Sequence, residues 1–190
     1  GISSGFEVPA RLMHAAGFAL YEAKAKGAGS ICCFDPEKYA KQKSDIENIR
    51  AFSELLDKNL FTYHFQPIVS ASTGEIVAYE ALMRTKGNIA LNPLQILNCA
   101  KNFGRLYDIE KATLKNTLKY LSKHQLDFEN RRLYINSISS HALDDKDFYA
   151  IVNDYGELLE KVVIEMTEQT EISEDDLDRI RVRLEKNNMS

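Results

Sequence analysis

An α/β fold around a mostly parallel sheet is what this sequence predicts, and three observations carry the expectation. From residue 92 onward, short apolar runs of strand length alternate with longer stretches of helical periodicity, the pattern of strands joined by helical crossovers. Three apolar runs also end on an oxygen-bearing side chain. Glu75-Ile76-Val77-Ala78-Tyr79 leads into Glu80, Leu133-Tyr134-Ile135 into Asn136, and Val162-Val163-Ile164 into Glu165. Parallel strands bring their C-terminal ends to one side, where barrel-type α/β enzymes assemble their sites. Two carboxylates and an amide gathered there suit a hard divalent cation such as Mg²⁺ or Mn²⁺.

The first elements are read as follows. Pro9 is suited to open a helix, and Leu12, Ala16, Ala19, Leu20 and Ala23 recur at helical spacing until Gly27-Ala28-Gly29 ends it. Ser30-Ile31-Cys32-Cys33-Phe34 reads as a short strand. One helix and one strand cannot bury a core of their own, so residues 1–35 are expected to be the tail of another domain. Asp35-Pro36 opens a polar helical linker over 36–59, with Asp as N-cap and Pro at the first helical position. Ser44-Asp45-Ile46-Glu47 has a capping-box pattern, so the linker is one helix or two. The stripe Ile46, Ile49, Phe52, Leu55 and Leu56 requires something to pack against.

The main domain is expected over 60–190. Phe61–Val69 and Glu75–Leu82 form two strands around a turn at 70–74, a connection short enough for an antiparallel hairpin. Asn92-Pro93 caps a helix through about Asn102, and a longer helix covers Leu106–Lys123. Within it Tyr107, Leu114, Leu118 and Leu121 are core positions. Leu133–Asn136 is a buried strand, Asp144–Tyr155 a helix, Lys161–Glu165 a strand and Ser173–Lys186 a helix. A closed barrel needs about eight strands in about 250 residues. The expected fold is therefore a partial TIM-like (β/α) barrel with an antiparallel first strand. It would leave an open sheet edge at Val162–Glu165, which would recruit a second copy and make the chain a homo-oligomer.

Composition excludes several functions. At 44% hydrophobic and 27% charged the chain is an ordinary globular sequence. A net charge of −4 with scattered basic residues argues against binding DNA or RNA. No apolar run approaches the roughly 18 residues of a membrane span, although a membrane tether could lie elsewhere in a parent protein. Cys32, Cys33 and Cys99 form no CxxC pair, which points to a reduced, cytoplasmic chain. His14, His64, His124 and His141 lack metal-ligand spacing. The acidic residues Glu171, Glu174, Asp175, Asp176 and Asp178 lack EF-hand spacing and read as a solvated helix start.

Four segments occur in a telling order: Phe65-Gln66-Pro67-Ile68-Val69, Tyr79-Glu80-Ala81-Leu82-Met83-Arg84, Tyr134-Ile135-Asn136-Ser137-Ile138-Ser139 and Val163-Ile164-Glu165-Met166-Thr167-Glu168. Together they resemble the N-terminal half of an EAL domain, the cyclic di-GMP phosphodiesterase family. Ala19-Leu20-Tyr21-Glu22-Ala23-Lys24 followed by Gly27 resembles the last helix of a GGDEF domain, the diguanylate cyclase family, and tandem GGDEF–EAL proteins have this order. The resemblance implies that Glu80, Asn136 and Glu165 ligate a divalent metal, with Glu168 supporting them. It implies that Gln66, Leu82 and Arg84 contact the cyclic dinucleotide. The product would be the linear dinucleotide.

Departures from the family pattern limit what is expected. An Asp-Asp pair that bridges two metals, a Lys, and the Glu that serves as general base would follow beyond Ser190. The 190 residues are therefore expected to be inactive by themselves. Gly17 stands where the GGDEF family usually has Asp, Lys101 where the EAL family has Glu, and Phe65 where it has Tyr. Two non-catalytic alternatives remain: a cyclic di-GMP receptor, or a module for dimerisation.

Overall fold

The computed structural model describes residues 9–124, 128, 131–138, 141–166, 174–187 and 189. Contacts divide the chain into two compact units, residues 1–50 and 51–190.

In the first unit, helix α1 (Pro9–Lys26) starts at the proline and ends before Gly27, whose φ of 111° only glycine adopts without strain. Asp35 then caps α2 (Pro36–Asp57), its Oδ1 accepting from the amides of Glu37 and Lys38 at 3.0 and 3.1 Å. Phe18, Phe34 and Tyr39 form an edge-to-face cluster with centroids 5.4–6.1 Å apart. One expectation fails here. Ser30–Phe34 is irregular rather than a strand: no described segment offers it a ladder, and Ile31 is 92% exposed. Of the two readings of the linker, one helix or two, the first holds: α2 runs unbroken through Ser44. A cap requires non-helical backbone, and the good helix formers around Ser44 keep the backbone helical.

The second unit is a mixed α/β layer. Strands β1 (Phe61–Val69), β2 (Ile76–Thr85), β3 (Arg132–Ser137) and β4 (Val162–Met166) form one sheet in that order. β1 pairs antiparallel with β2, and β2–β3 and β3–β4 are parallel. The helices are α3 (Pro93–Asn102), α4 (Leu106–Lys123), α5 (Asp145–Leu159) and α6 (Glu174–Lys186). Asn92 begins α3 with a reciprocal capping box, Oδ1 accepting from the Gln95 amide while Gln95 Oε1 accepts from the Asn92 amide, both at 2.9 Å. α5 is kinked at Tyr155, where the expected helix ended.

The core lies between the sheet and the helices. Leu133, Ile135 and Val162 from the strands meet Ile96, Ile109, Leu118, Leu121 and Leu159 from the helices, all essentially buried. Each such side chain contributes about 1.5–3 kcal/mol on burial. The expected α2 stripe divides: Phe52 and Leu55 enter this core, whereas Ile46 and Ile49 stay exposed. Polar ties join the helices. Asp147 accepts from Tyr107 Oη at 2.8 Å and from Lys111 Nζ at 2.7 Å, linking α4 to α5. Buried Arg183 of α6 donates to the Leu143 carbonyl and to Asp145, and its guanidinium lies 4.8 Å from the centre of the Phe148 ring. None of the described helices is long and apolar enough to cross a membrane.

Candidate active site at the strand ends

Alternation along the strands gives the sheet two unlike faces. Ala81, Leu133, Ile135 and Val162 belong to the core. Their alternates Glu80, Leu82, Arg84, Tyr134, Asn136 and Glu165 occupy the other face. Register then brings the acids together. Glu80 stands opposite Gln66 in β1 and opposite Tyr134 in β3, while Asn136 stands opposite Glu165 in β4.

Three sequence-predicted metal ligands come together, Asn136 and Glu165 one residue before the ends of β3 and β4, and Glu80 not at a strand end as expected but midway along β2, which runs on to Thr85. Asn136 Nδ2 donates to Glu80 Oε1 at 2.7 Å. An amide committed in this way keeps its oxygen as an acceptor for another partner. The Glu165 carboxyl is raised above its ordinary value, chiefly by burial and then by the negative charge of Glu80. Two carboxylates close enough to repel one another, beside an amide oxygen, form a donor set that a hard divalent cation would complete. Among the described residues no group of three or more His, Cys, Asp or Glu could hold a metal, since the third donor here is an amide. Glu168 lies outside the described residues.

The residues expected to touch a dinucleotide are distributed unevenly. Leu82, Arg84 and Asn136 line one cleft of about 260 Å³, whose walls include Pro93, Leu97 and Glu110. Arg84 is half-buried, and one arm of its fork already donates to the Met83 carbonyl at 2.7 Å. Gln66 is exposed on β1 and is not part of that cleft's lining.

Sequence reasoning passed over Glu110. This α4 residue accepts from Ser137 Oγ at 2.6 Å and from the Ile138 amide at 2.8 Å, directly after Asn136 in the chain. Burial pushes its carboxyl up, against the pull of those two hydrogen bonds. A signal existed: Glu110 falls on the same helical stripe as Leu106, Thr113, Leu114 and Thr117, where a solvated glutamate does not belong.

Comparison with known proteins gives this geometry a context. A curated relative is the bifunctional diguanylate cyclase/cyclic di-GMP phosphodiesterase MucR of Pseudomonas aeruginosa. It is 26% identical over 112 residues, which is 58% of this chain and 16% of that protein. The chain thus spans a small part of that relative's length. Among solved structures, the apo S helix–GGDEF–EAL region of Vibrio cholerae LapD superposes with a TM-score of 0.62 at 12% identity, covering 96% of this chain and 45% of that one. The manganese/cyclic di-GMP complex of Klebsiella pneumoniae BlrP1 at pH 9.0 gives 0.56 at 17% identity, covering 68% and 33%. At these identities the structural likeness is one of fold. The EAL domain family matches residues 49–188. With that match over most of its length, the chain belongs to the EAL-domain family.

Proposed function

We propose that this chain supplies metal-binding and dinucleotide-binding residues of a cyclic di-GMP phosphodiesterase. The observation that carries the reading is the Asn136–Glu80 hydrogen bond of 2.7 Å, with Glu165 beside Asn136 and its carboxyl raised in part by Glu80. Glu80, Asn136 and Glu165 hold Mg²⁺ or Mn²⁺, and Glu168 supports them. Residues 1–35 are a GGDEF-like remnant, 36–59 a linker and 60–190 the EAL part. The MucR name and the manganese complex of BlrP1 are consistent with this reading.

A divalent cation bound there neutralises phosphoryl charge and favours formation of a nucleophile from water. The protein's own groups do the rest. Arg84 offers a planar fork to a non-bridging phosphate oxygen, once its arm leaves the Met83 carbonyl. Leu82 forms an apolar wall beside it. Gln66, across from Glu80, hydrogen-bonds the dinucleotide from the β1 side. Hydrolysis adds water to one phosphorus and expels the ribose 3′-oxygen, which leaves the linear dinucleotide.

Two carboxylates and one amide are too few to hold a cation pair. The 190 residues are therefore expected to bind the dinucleotide with little turnover, and to associate through the exposed edge of β4. Titration of cyclic di-GMP into the chain with and without Mn²⁺ tests the reading. Binding that strengthens with Mn²⁺ and weakens in Arg84→Ala supports it. Binding indifferent to Mn²⁺ supports a metal-free receptor, and no binding under either condition contradicts the proposal.

A further inference from the structure

Asn136, Ser137 and Ile138 leave β3 gripped from both sides of the sheet. On the exposed face the Asn136 amide donates to Glu80 at 2.7 Å. On the helix-covered face the next two residues donate to the Glu110 carboxylate, Ser137 through its hydroxyl at 2.6 Å and Ile138 through its amide at 2.8 Å. Each carboxylate oxygen takes one donor. Ser137 is the last residue of β3, so the Ile138 amide has no place in the parallel ladder and depends on this acceptor.

An apolar pair would tie α4 to β3 at less cost. Burying a carboxylate carries a desolvation penalty that two hydrogen bonds only offset, and replacing such groups with well-packed hydrophobic ones is often neutral or stabilising. What the carboxylate adds is direction. It holds the Ser137 side chain and the backbone amide that follows it, one residue from the proposed ligand. Glu110 also lines the cleft that holds Leu82, Arg84 and Asn136.

We infer that Glu110 is a positioning residue for Asn136, holding the end of β3 so that the Asn136 amide meets Glu80 and offers its oxygen to the cation. The inference rests on the metal-site reading above for its second half only. The contact between Asn136 and Glu80 can be followed without metal.

The test uses the whole chain with Glu110→Gln, which keeps the size but puts a donor where two donors converge, and Ser137→Ala, which removes one donor alone. The Asn136 side-chain NH₂ resonances report the contact with Glu80, isothermal titration reports Mn²⁺ affinity, and thermal unfolding reports stability. Glu110→Gln should shift the Asn136 NH₂ signals toward solvent-exposed values and weaken Mn²⁺ binding by about 10- to 100-fold, the usual consequence of losing a group that orients a ligand. Ser137→Ala should move both readouts the same way by less, and it carries the test alone if Glu110→Gln does not fold. A fall in stability with NH₂ signals unchanged and Mn²⁺ affinity within twofold of wild type overturns the inference, leaving Glu110 as a structural tie. If the wild-type chain binds no Mn²⁺, the metal reading fails, and the NH₂ signals alone decide whether Glu110 positions Asn136.

Discussion

The two faces of the sheet use the same strands for opposite purposes. On the covered face Leu133, Ile135 and Val162 are at most 2% exposed and belong to the apolar core. On the open face Glu80, Asn136 and Glu165 crowd two negative charges together and leave Glu165 raised in its pKa. One face lowers the free energy of the fold. The other holds the charged arrangement that the proposed cation site would use. Each face should therefore fail in its own way.

The largest effect belongs to the covered face. Leu133→Ala should cost about 2–5 kcal/mol in urea unfolding by emptying a fully buried site. Chains that remain folded should keep cation affinity close to wild type. Strong loss of Mn²⁺ binding in a folded Leu133→Ala chain would show that the faces are not separable. Arg84→Ala comes next and reverses the pattern. It should weaken cyclic di-GMP by about 10- to 150-fold, or about 1.5–3 kcal/mol for a lost charge-assisted contact, while unfolding shifts little. Calorimetry with Mn²⁺ should find the metal still bound. Removing the α3 cap is smaller: Asn92→Ala should cost about 1 kcal/mol of stability and leave both ligands' affinities alone. An affinity change there would mean that the cleft wall at Pro93 does more than cover.

The smallest effect is one of pH. The Glu165 pKa in the fold lies above its ordinary value of 4.5. Its contribution to stability is then complete below the ordinary value and is lost as pH rises through the raised one. Glu110 shares that sign. Metal-free wild type should therefore lose some thermal stability as pH rises from about 4 toward 7, and Glu165→Gln should flatten part of that slope. An unchanged slope would mean that neither burial nor the charge of Glu80 raises the Glu165 carboxyl in the folded chain.

Much of the fold was legible because local signals agreed with tertiary context. Asp35-Pro36 and Asn92-Pro93 carry side-chain caps, and both start helices where expected. The α4 stripe and its bounds follow from period alone. Ser44 had an equally good local signal yet left one linker helix or two open, because a cap pattern cannot show that the preceding turn is already helical. Ser30–Phe34 failed because a strand needs a partner that local sequence does not specify. In the site, strand ends could be read from apolar runs, but register could not. Only the pairing of Asn136 with Glu165, and the reach of Asn136 to Glu80 midway along β2, turn residues of three strands into one cluster. Glu110 and Arg183 were missed for a related reason. Charged residues on helices default to solvent in a sequence reading, and their burial is decided by the loop ends that pack on them.

The proposed function requires a divalent cation held by Glu80, Asn136 and Glu165. Its most direct test is the Mn²⁺ affinity of the folded chain, measured by calorimetry or electron paramagnetic resonance, for wild type, Glu80→Gln, Asn136→Ala and Glu165→Gln. One saturable site is expected in wild type, bound at least about tenfold more weakly in each variant because a lost charged contact is worth about 1.5–3 kcal/mol, with unfolding midpoints nearly unchanged. A wild-type chain that binds no Mn²⁺, or variants that bind it as tightly as wild type, would contradict it.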